Sequence, residues 1–284
     1  MIKLSVIIGT YNQKDTLKLV LESLFKQTII PQLYEIIVVD SFSTDGTDTM
    51  IESLVPSPCP LNYIRQENRG KPSARNRGIE EARGEIIFLT DADMVADIHL
   101  LQEHLRAHDK YENAAFEGRT VNPDGQPYIK EKLRSGQKLK WSYFLSGNLS
   151  AKKKTLIEAG LFDKIFTGYG WEDIELGYRL HQMKIPIFYL PQAINYHKHP
   201  VSEEDLLKRK YEMGKSAAHF YKKHPNLEIK YFLGMNPLAM GIYNLIKAQP
   251  RLKKYVEDQA PHSRFYHYLL SEYLYREGLT EGLS

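Results

Sequence analysis

The 284-residue chain has a single cysteine, Cys59, which excludes an internal disulfide framework and any cysteine-based zinc cluster. A lone thiol fits a reducing compartment, so a cytoplasmic location is expected. No apolar run reaches the ~20 residues of a membrane-spanning helix. The nearest one, residues 229–246, is interrupted by Lys230, Asn236 and Pro237. The first residues lack the basic and apolar pattern of a secretory signal, and none is expected. Charge of one sign is also scarce: 38 Lys and Arg face 35 Asp and Glu. Residues 1–200 hold 25 of each, and the remainder holds 13 against 10. That balance gives no broad basic face, so nucleic acid is not an expected partner. Several motifs are missing as well. No GxGxxG follows the first strand, and HExxH and GxSxG are absent. Gly214-Lys215-Ser216 looks like the end of a phosphate-binding P-loop, but the glycine needed upstream is Arg209. Dinucleotide, metalloprotease and hydrolase chemistry therefore lose their local support.

With 42% hydrophobic and 26% charged residues, the composition is that of a globular protein able to bury a core. The first hundred residues alternate β-branched runs with helical patterns, which predicts an α/β fold with a mostly parallel sheet. Strands are expected at Leu4–Thr10, Tyr34–Asp40, Leu61–Gln66 and Glu85–Thr90, with helices at Lys14–Phe25, Thr47–Leu54 and Ser73–Ala82. Leu17, Val20, Leu21 and Leu24 form the inner stripe of the first helix. Residues 119–147, with the turn signal Asn122-Pro123-Asp124-Gly125, read as a long, partly mobile excursion. Ser146–Ala151, a helix near Lys153–Ala159, a helix over Glu172–Met183 and strands at Ile187–Leu190 and Ala193–Tyr196 follow. After Pro200 the pattern is helical, at Glu203–Lys223, Tyr231–Lys247 and His262–Arg276. The expected domains are thus 1–200 and a helical extension, 201–284.

Ligands of open α/β sheets collect beyond the carboxyl ends of the strands, and the polar clusters of this sequence fall there. Asp91-Ala92-Asp93 follows an apolar strand and offers two carboxylates to a divalent cation and a diphosphate. A polar turn is the plainer reading of that spacing. Thr10-Tyr11-Asn12 ends the first strand and Asp40 the second. Tyr11 can stack on a base, and Asp40 can accept from a base N–H or ribose hydroxyl, although both also suit turn capping. Arg65, Arg69, Lys71, Arg75 and Arg77 place five cations within thirteen residues, beside a helix start whose positive end favours phosphate. Pairing with Glu80 and Glu81 on a solvated face is the alternative.

Leu4-Ser5-Val6-Ile7-Ile8-Gly9-Thr10-Tyr11-Asn12, then Ile36–Asp40 with Ser43-Thr44-Asp45-Gly46-Thr47, then Ser73-Ala74-Arg75-Asn76-Arg77-Gly78 and Asp91-Ala92-Asp93, together resemble a family 2 glycosyltransferase of the GT-A fold. The resemblance reaches to about His199, two thirds of the chain. A second block, Ser146-Gly147-Asn148 and Gly170-Trp171-Glu172-Asp173-Ile174-Glu175-Leu176, is similar to the acceptor side of such enzymes and to a galactosyltransferase-like C-terminal element.

The resemblance implies a nucleotide-sugar donor, with Asp93 contacting Mn²⁺ or Mg²⁺ and Asp91 nearer the ribose, sugar or metal. It also implies His197, or else His199, as a further metal ligand. The aspartate of the Glu172-Asp173 pair would be the base of an inverting transfer. Gly147 and Asn148 are expected as pocket walls, Trp171 as a sugar platform and residues 163–171 as a lid. Acids at a helix start, however, are favoured for stability alone.

A UDP-sugar donor, a glycan or other hydroxyl acceptor and synthesis of a polysaccharide are therefore expected. A retaining transferase, a nucleotidyltransferase and a non-catalytic glycan- or nucleotide-binding module stay open. Tyr231, Phe232, Leu233, Met235, Leu238 and Met240 either rest on lipid, giving peripheral membrane contact, or pack within the protein.

Overall fold

The computed structural model describes residues 1–129, 132–198 and 203–284, the last from the side chain of Asp205 onward. Nine strands, among these residues, form one sheet. They are β1 (Leu4–Thr10), β2 (Tyr34–Asp40), β3 (Leu61–Arg65), β4 (Ile86–Asp91), β5 (Met94–Ala96), β6 (Ala115–Val121), β7 (Lys138–Leu139), β8 (Asn148–Lys152) and β9 (Ile187–His197). Their order is β3-β2-β1-β4-β8-β6-β9-β5, with β7 beside β9. The first four are mutually parallel, whereas β8 runs antiparallel to β4 and β6. In register, Thr10 stands opposite Asp40 and Gly9 opposite Asp91, so three strands deliver their carboxyl ends to one edge.

The unbroken apolar runs of β1, β2 and β4 are explained by burial on both faces. Ile7, Ile37, Val39, Ile87 and Leu89 belong to one core layer. Val6, Ile8, Ile36, Val38 and Phe88 point the other way, into a second. The helix α1 (Lys14–Leu24) closes that second layer with Leu17, Val20, Leu21 and Leu24, each at most 1% exposed. Burying each such side chain stabilises the fold by ~1.5–3 kcal/mol. The helices α2 (Thr47–Glu52) and α3 (Lys71–Glu81) occupy the expected crossovers, α3 starting two residues early because Pro72 already carries a helical φ.

Three elements of this part depart from expectation. The helix α4 (Leu100–Lys110) was hidden because its inner stripe, Leu100, Leu101, His104, Ala107 and His108, contains two histidines. Residues 119–147 are not wholly an excursion: 119–121 complete β6, whose run turns polar at Glu117, and 138–139 form β7. The two expected late strands are one, β9, with a register shift against β6 between Gly118 and Arg119. The helices α5 (Lys153–Glu158) and α6 (Glu172–Gln182) stand as expected.

The chain divides into two compact units, Met1–Lys164 with Asp173–Pro200, and Ile165–Glu172 with Val201–Ser284. The second contains α7 (Glu203–Lys223), α8 (Leu227–Phe232), α9 (Pro237–Ala248), α10 (Pro250–Gln259) and α11 (Arg264–Leu283). The single helix expected over 231–247 is broken because Gly234 adopts φ 74° and Asn236 caps a new start at Pro237. Gly214, from the P-loop-like tripeptide, serves packing. A Cβ there would collide with the Tyr275 carbonyl, and one on Gly278 with that of Tyr211, so α7 and α11 meet at backbone distance. No described helix is long and apolar enough to cross a membrane.

Between α4 and β8 lies a buried polar cluster. His104 Nδ1 is 2.8 Å and His108 Nε2 2.9 Å from Ser150 Oγ, and His104 Nε2 is 3.1 Å from Asn148 Oδ1. Burial holds His104 down at about 4 and His108 at about 3, the latter also opposed by His104 and Lys152. Both rings are neutral in the fold, while the unfolded chain takes up protons below about 6.5. Their contribution is therefore present above that value and lost as pH falls. Each histidine should cost about 2 kcal/mol of stability between pH 7 and pH 5. Urea unfolding of wild type and His108→Asn at the two pH values checks this. The variant should lose less on acidification.

Candidate active site

The site grows from the strand ends. Asp40 closes β2 and anchors the next loop: Ser43 donates its N–H (3.0 Å) and its hydroxyl (2.5 Å) to Oδ1, and Tyr63 donates to Oδ2 at 2.6 Å. The carboxylate is 0% exposed. Its oxygens serve the 41–44 turn and β3. That turn is cross-bonded to the end of β1: Asn12 N donates to Ser43 Oγ and Thr44 N to Asn12 Oδ1. Thr10 lies beneath with its hydroxyl buried. The two loops present Tyr11 and Phe42, half exposed, and both Asn12 (φ 51°) and Phe42 (φ 68°) sit in the left-handed region. Left-handed backbone at a non-glycine costs of order 1 kcal/mol and concentrates at functional edges. Phe42 carried no motif and was not anticipated. Arg65 lies over its ring at 4.4 Å and donates to Ser43 O at 2.9 Å.

On the neighbouring strand Asp91 pairs with Arg75 at 2.9 Å. Burial would raise its carboxyl, but Lys71 and Arg75, with His197, outweigh that and hold it below the usual carboxylate range. Arg75 is itself buried beneath the Phe162 ring. Ala92, between the two aspartates, is a core residue, 1% exposed. Asp93 reaches His197 across the β5–β9 pair, Oδ2 to Nε2 3.3 Å. Its other oxygen, Oδ1, is buried with no hydrogen-bond partner. One orphaned carboxylate oxygen beside an imidazole suits a divalent cation that takes its remaining ligands from phosphate and water. The described residues contain no cluster of three or more His, Cys, Asp or Glu. His199 lies outside the described residues.

The segment 145–148 faces these carboxylates. Gly147 O accepts from Thr90 Oγ1 (3.2 Å) and Asn195 Nδ2 (3.1 Å), and a Cβ on Gly147 would stand 3.8 Å from Asp91 Oδ2. Gly147 therefore stands against Asp91. Asn148 is 0% exposed, donates to Ala193 O and meets His104. One residue earlier, Ser146 gives its N–H and hydroxyl to Asp173 Oδ2, each at 3.3 Å. The other oxygen of Asp173 takes Ile174 N at 2.8 Å, within the first turn of α6. Glu172 is 7% exposed. Trp171 (φ 74°) is grouped with the C-terminal helices. Its indole N–H donates to Met213 O at 2.8 Å, and the ring meets Phe220, Phe232 and Tyr275.

Glu117 is the side chain the sequence concealed. It is 1% exposed and accepts from Leu145 N at 3.1 Å, one residue from the Ser146 that holds Asp173. Burial drives its carboxyl well above the usual range, the Leu145 N–H opposes this, and Asp173 adds to it.

The model of the family "Glycosyl transferase family 2" matches residues 5–163. The chain belongs to glycosyltransferase family 2. It is 30% identical over 258 residues to the uncharacterized glycosyltransferase YfnE of Bacillus subtilis, covering 70% of this chain and 65% of that protein. A validoxylamine A glucosyltransferase of Streptomyces hygroscopicus subsp. limoneus is 30% identical over 222 residues, 65% of this chain and 49% of its own. The chain thus spans about half to two thirds of these relatives. Among solved structures, a mannosyltransferase of Pyrobaculum calidifontis in complex with GDP-Man and Mn²⁺ matches with a TM-score of 0.69 and 20% identity, over 99% of this chain and 86% of that one. TarS 1–349 of S. aureus in complex with UDP-GlcNAc matches at 0.63 and 18%, over 99% and 91%. These likenesses bear on the fold, which is GT-A.

A carboxyl with a raised folded-state value favours folding below its unfolded value of 4.5 and costs stability as pH climbs toward the folded one. Glu117→Gln, a neutral isostere, should therefore gain stability over wild type as pH rises from 5 to 8, read from paired melting curves. A constant difference across that range would contradict a protonated Glu117.

Proposed function

We propose that the protein transfers a sugar from a UDP-sugar to a hydroxyl of a glycan or other acceptor, with inversion at the anomeric carbon and Asp173 as base. One observation carries this reading: Ser146 holds Asp173 while the adjacent Gly147 abuts Asp91, so a single four-residue segment links an acceptor-side carboxylate to the donor-side aspartates. The acceptor oxygen attacks the anomeric carbon, its proton passes to an Asp173 oxygen, and the bond from that carbon to the diphosphate breaks, the electron pair leaving with UDP. Hydrogen bonds from Ser146 and Ile174 fix the carboxylate for that transfer. Lys71 and Arg75 supply positive charge toward the diphosphate, aided by the amino end of α3. The exposed rings of Tyr11 and Phe42 are the stacking surfaces for the base.

Asp93 and His197, with Asp91 adjoining, would hold Mn²⁺ or Mg²⁺. Such a cation offsets charge on a departing diphosphate. Glycan assembly agrees with relatives such as the chondroitin synthase of Escherichia coli, 26% identical over 280 residues, 79% of this chain and 40% of that one. We assign nucleotide-sugar binding and catalysis to residues 1–200 and leave 201–284 as a helical extension.

Asp173→Asn should lower transfer at least a thousandfold while UDP affinity by calorimetry stays within about threefold. Retained turnover would remove Asp173 from the base role, and an unchanged anomeric configuration in the fresh product would assign retention instead. Asp93→Asn should abolish the thermal shift that Mn²⁺ adds to UDP, leaving the shift from UDP alone.

A further inference from the structure

The outer face of α9 is apolar and has no partner among the described residues of the C-terminal unit. Helical spacing sets Leu238, Gly241, Ile242 and Leu245 on one stripe. The three large side chains are 75%, 44% and 52% exposed, and a Cβ on Gly241 would meet nothing within 4 Å. The opposite face packs Tyr243 and Ile246 against Tyr273, Leu269 and Leu274 of α11. The neighbouring α10 lies on the same helix through Leu252 and Val256. Its outward positions are Arg251, Lys254 and Tyr255, with Asp258 at the far end. Of the residues 231–240 weighed from sequence, Leu238 belongs to this stripe and Tyr231 is exposed, whereas Leu233 and Met235 are buried.

Charge decides what this face fits. The extension as a whole is nearly balanced, yet residues 222–259, to the end of α10, hold seven Lys and Arg against three acids, Glu228, Glu257 and Asp258. Lys253 pairs with Glu257 and Glu277. Among the described residues, Lys230, Lys247, Arg251 and Lys254 enter no ion pair. An exposed apolar stripe on one helix, with unneutralised cations and an exposed tyrosine on the helix that follows it, is the pattern of a segment lying in the headgroup region of an anionic bilayer. A second copy is a poor fit, because a two-fold contact would set the same cations against one another.

We propose that the Leu238/Ile242/Leu245 stripe of α9, with Arg251 and Lys254 exposed on the adjoining α10, docks on an anionic lipid surface. The inference concerns the C-terminal unit and holds whether or not Asp173 is the base. The full chain should float with vesicles of phosphatidylcholine and phosphatidylglycerol but not with phosphatidylcholine alone, and about 0.5 M salt should release much of it. Leu238→Glu with Ile242→Glu, and separately Arg251→Glu with Lys254→Glu, should each weaken vesicle binding at least about tenfold. Both sit at exposed positions, so melting temperatures should stay near wild type, which separates lost docking from lost folding. Binding indifferent to lipid charge, no binding to either vesicle, or a wild-type dimer in sedimentation that Leu238→Glu with Ile242→Glu dissolves would overturn the proposal.

Discussion

The arrangement of the site depends on how one short segment, Leu145–Asn148, is held. Three of its peptide groups and one hydroxyl are spoken for: Leu145 N–H by Glu117, Ser146 by Asp173, and Gly147 O by Thr90 and Asn195. Buried backbone groups must be paired, and here the pairing draws together β4, β6, β9 and the start of α6. Asn148 then enters β8 fully buried, so the segment cannot shift without opening the core. Asp173 and Asp91 are kept in fixed relation by ordinary main-chain bonding.

The same economy appears at the edge of β1 and β2. Asp40 spends its oxygens on Ser43 and Tyr63, and in return the 41–44 turn stays in a left-handed conformation at Phe42. Asp45 does similar work one turn later, receiving Lys14 N and Thr47 N and Oγ1. Charged side chains in these loops are largely scaffolding, and exposed rings and unpaired oxygens are left to meet a ligand. Asp93 Oδ1 is the clearest of the latter, since an orphaned buried acceptor has a cost that a bound cation removes.

The C-terminal helices follow a different logic. Glycines at 214 and 278 let α7 and α11 approach at backbone distance, and a pair so close needs no ligand to explain its small residues. With that contact buried, large apolar side chains are still left exposed on α9.

Much of the fold was legible in the sequence, because period and burial write themselves into residue type. The β1, β2 and β4 runs, the α1 stripe and the DxD at a strand end are read directly, since a strand buried on both faces must be continuously apolar. Where polar residues occupy buried positions, the pattern fails. His104 and His108 masked α4, Glu117 masked β6, and Asp40 and Asn148 looked like surface ligands although both are sealed. Sequence records which side chains are available but not which have already been paired. Residues 91, 117, 147 and 173 come together through strand order and crossovers, and those are settled only when distant segments compete for the same hydrogen bonds.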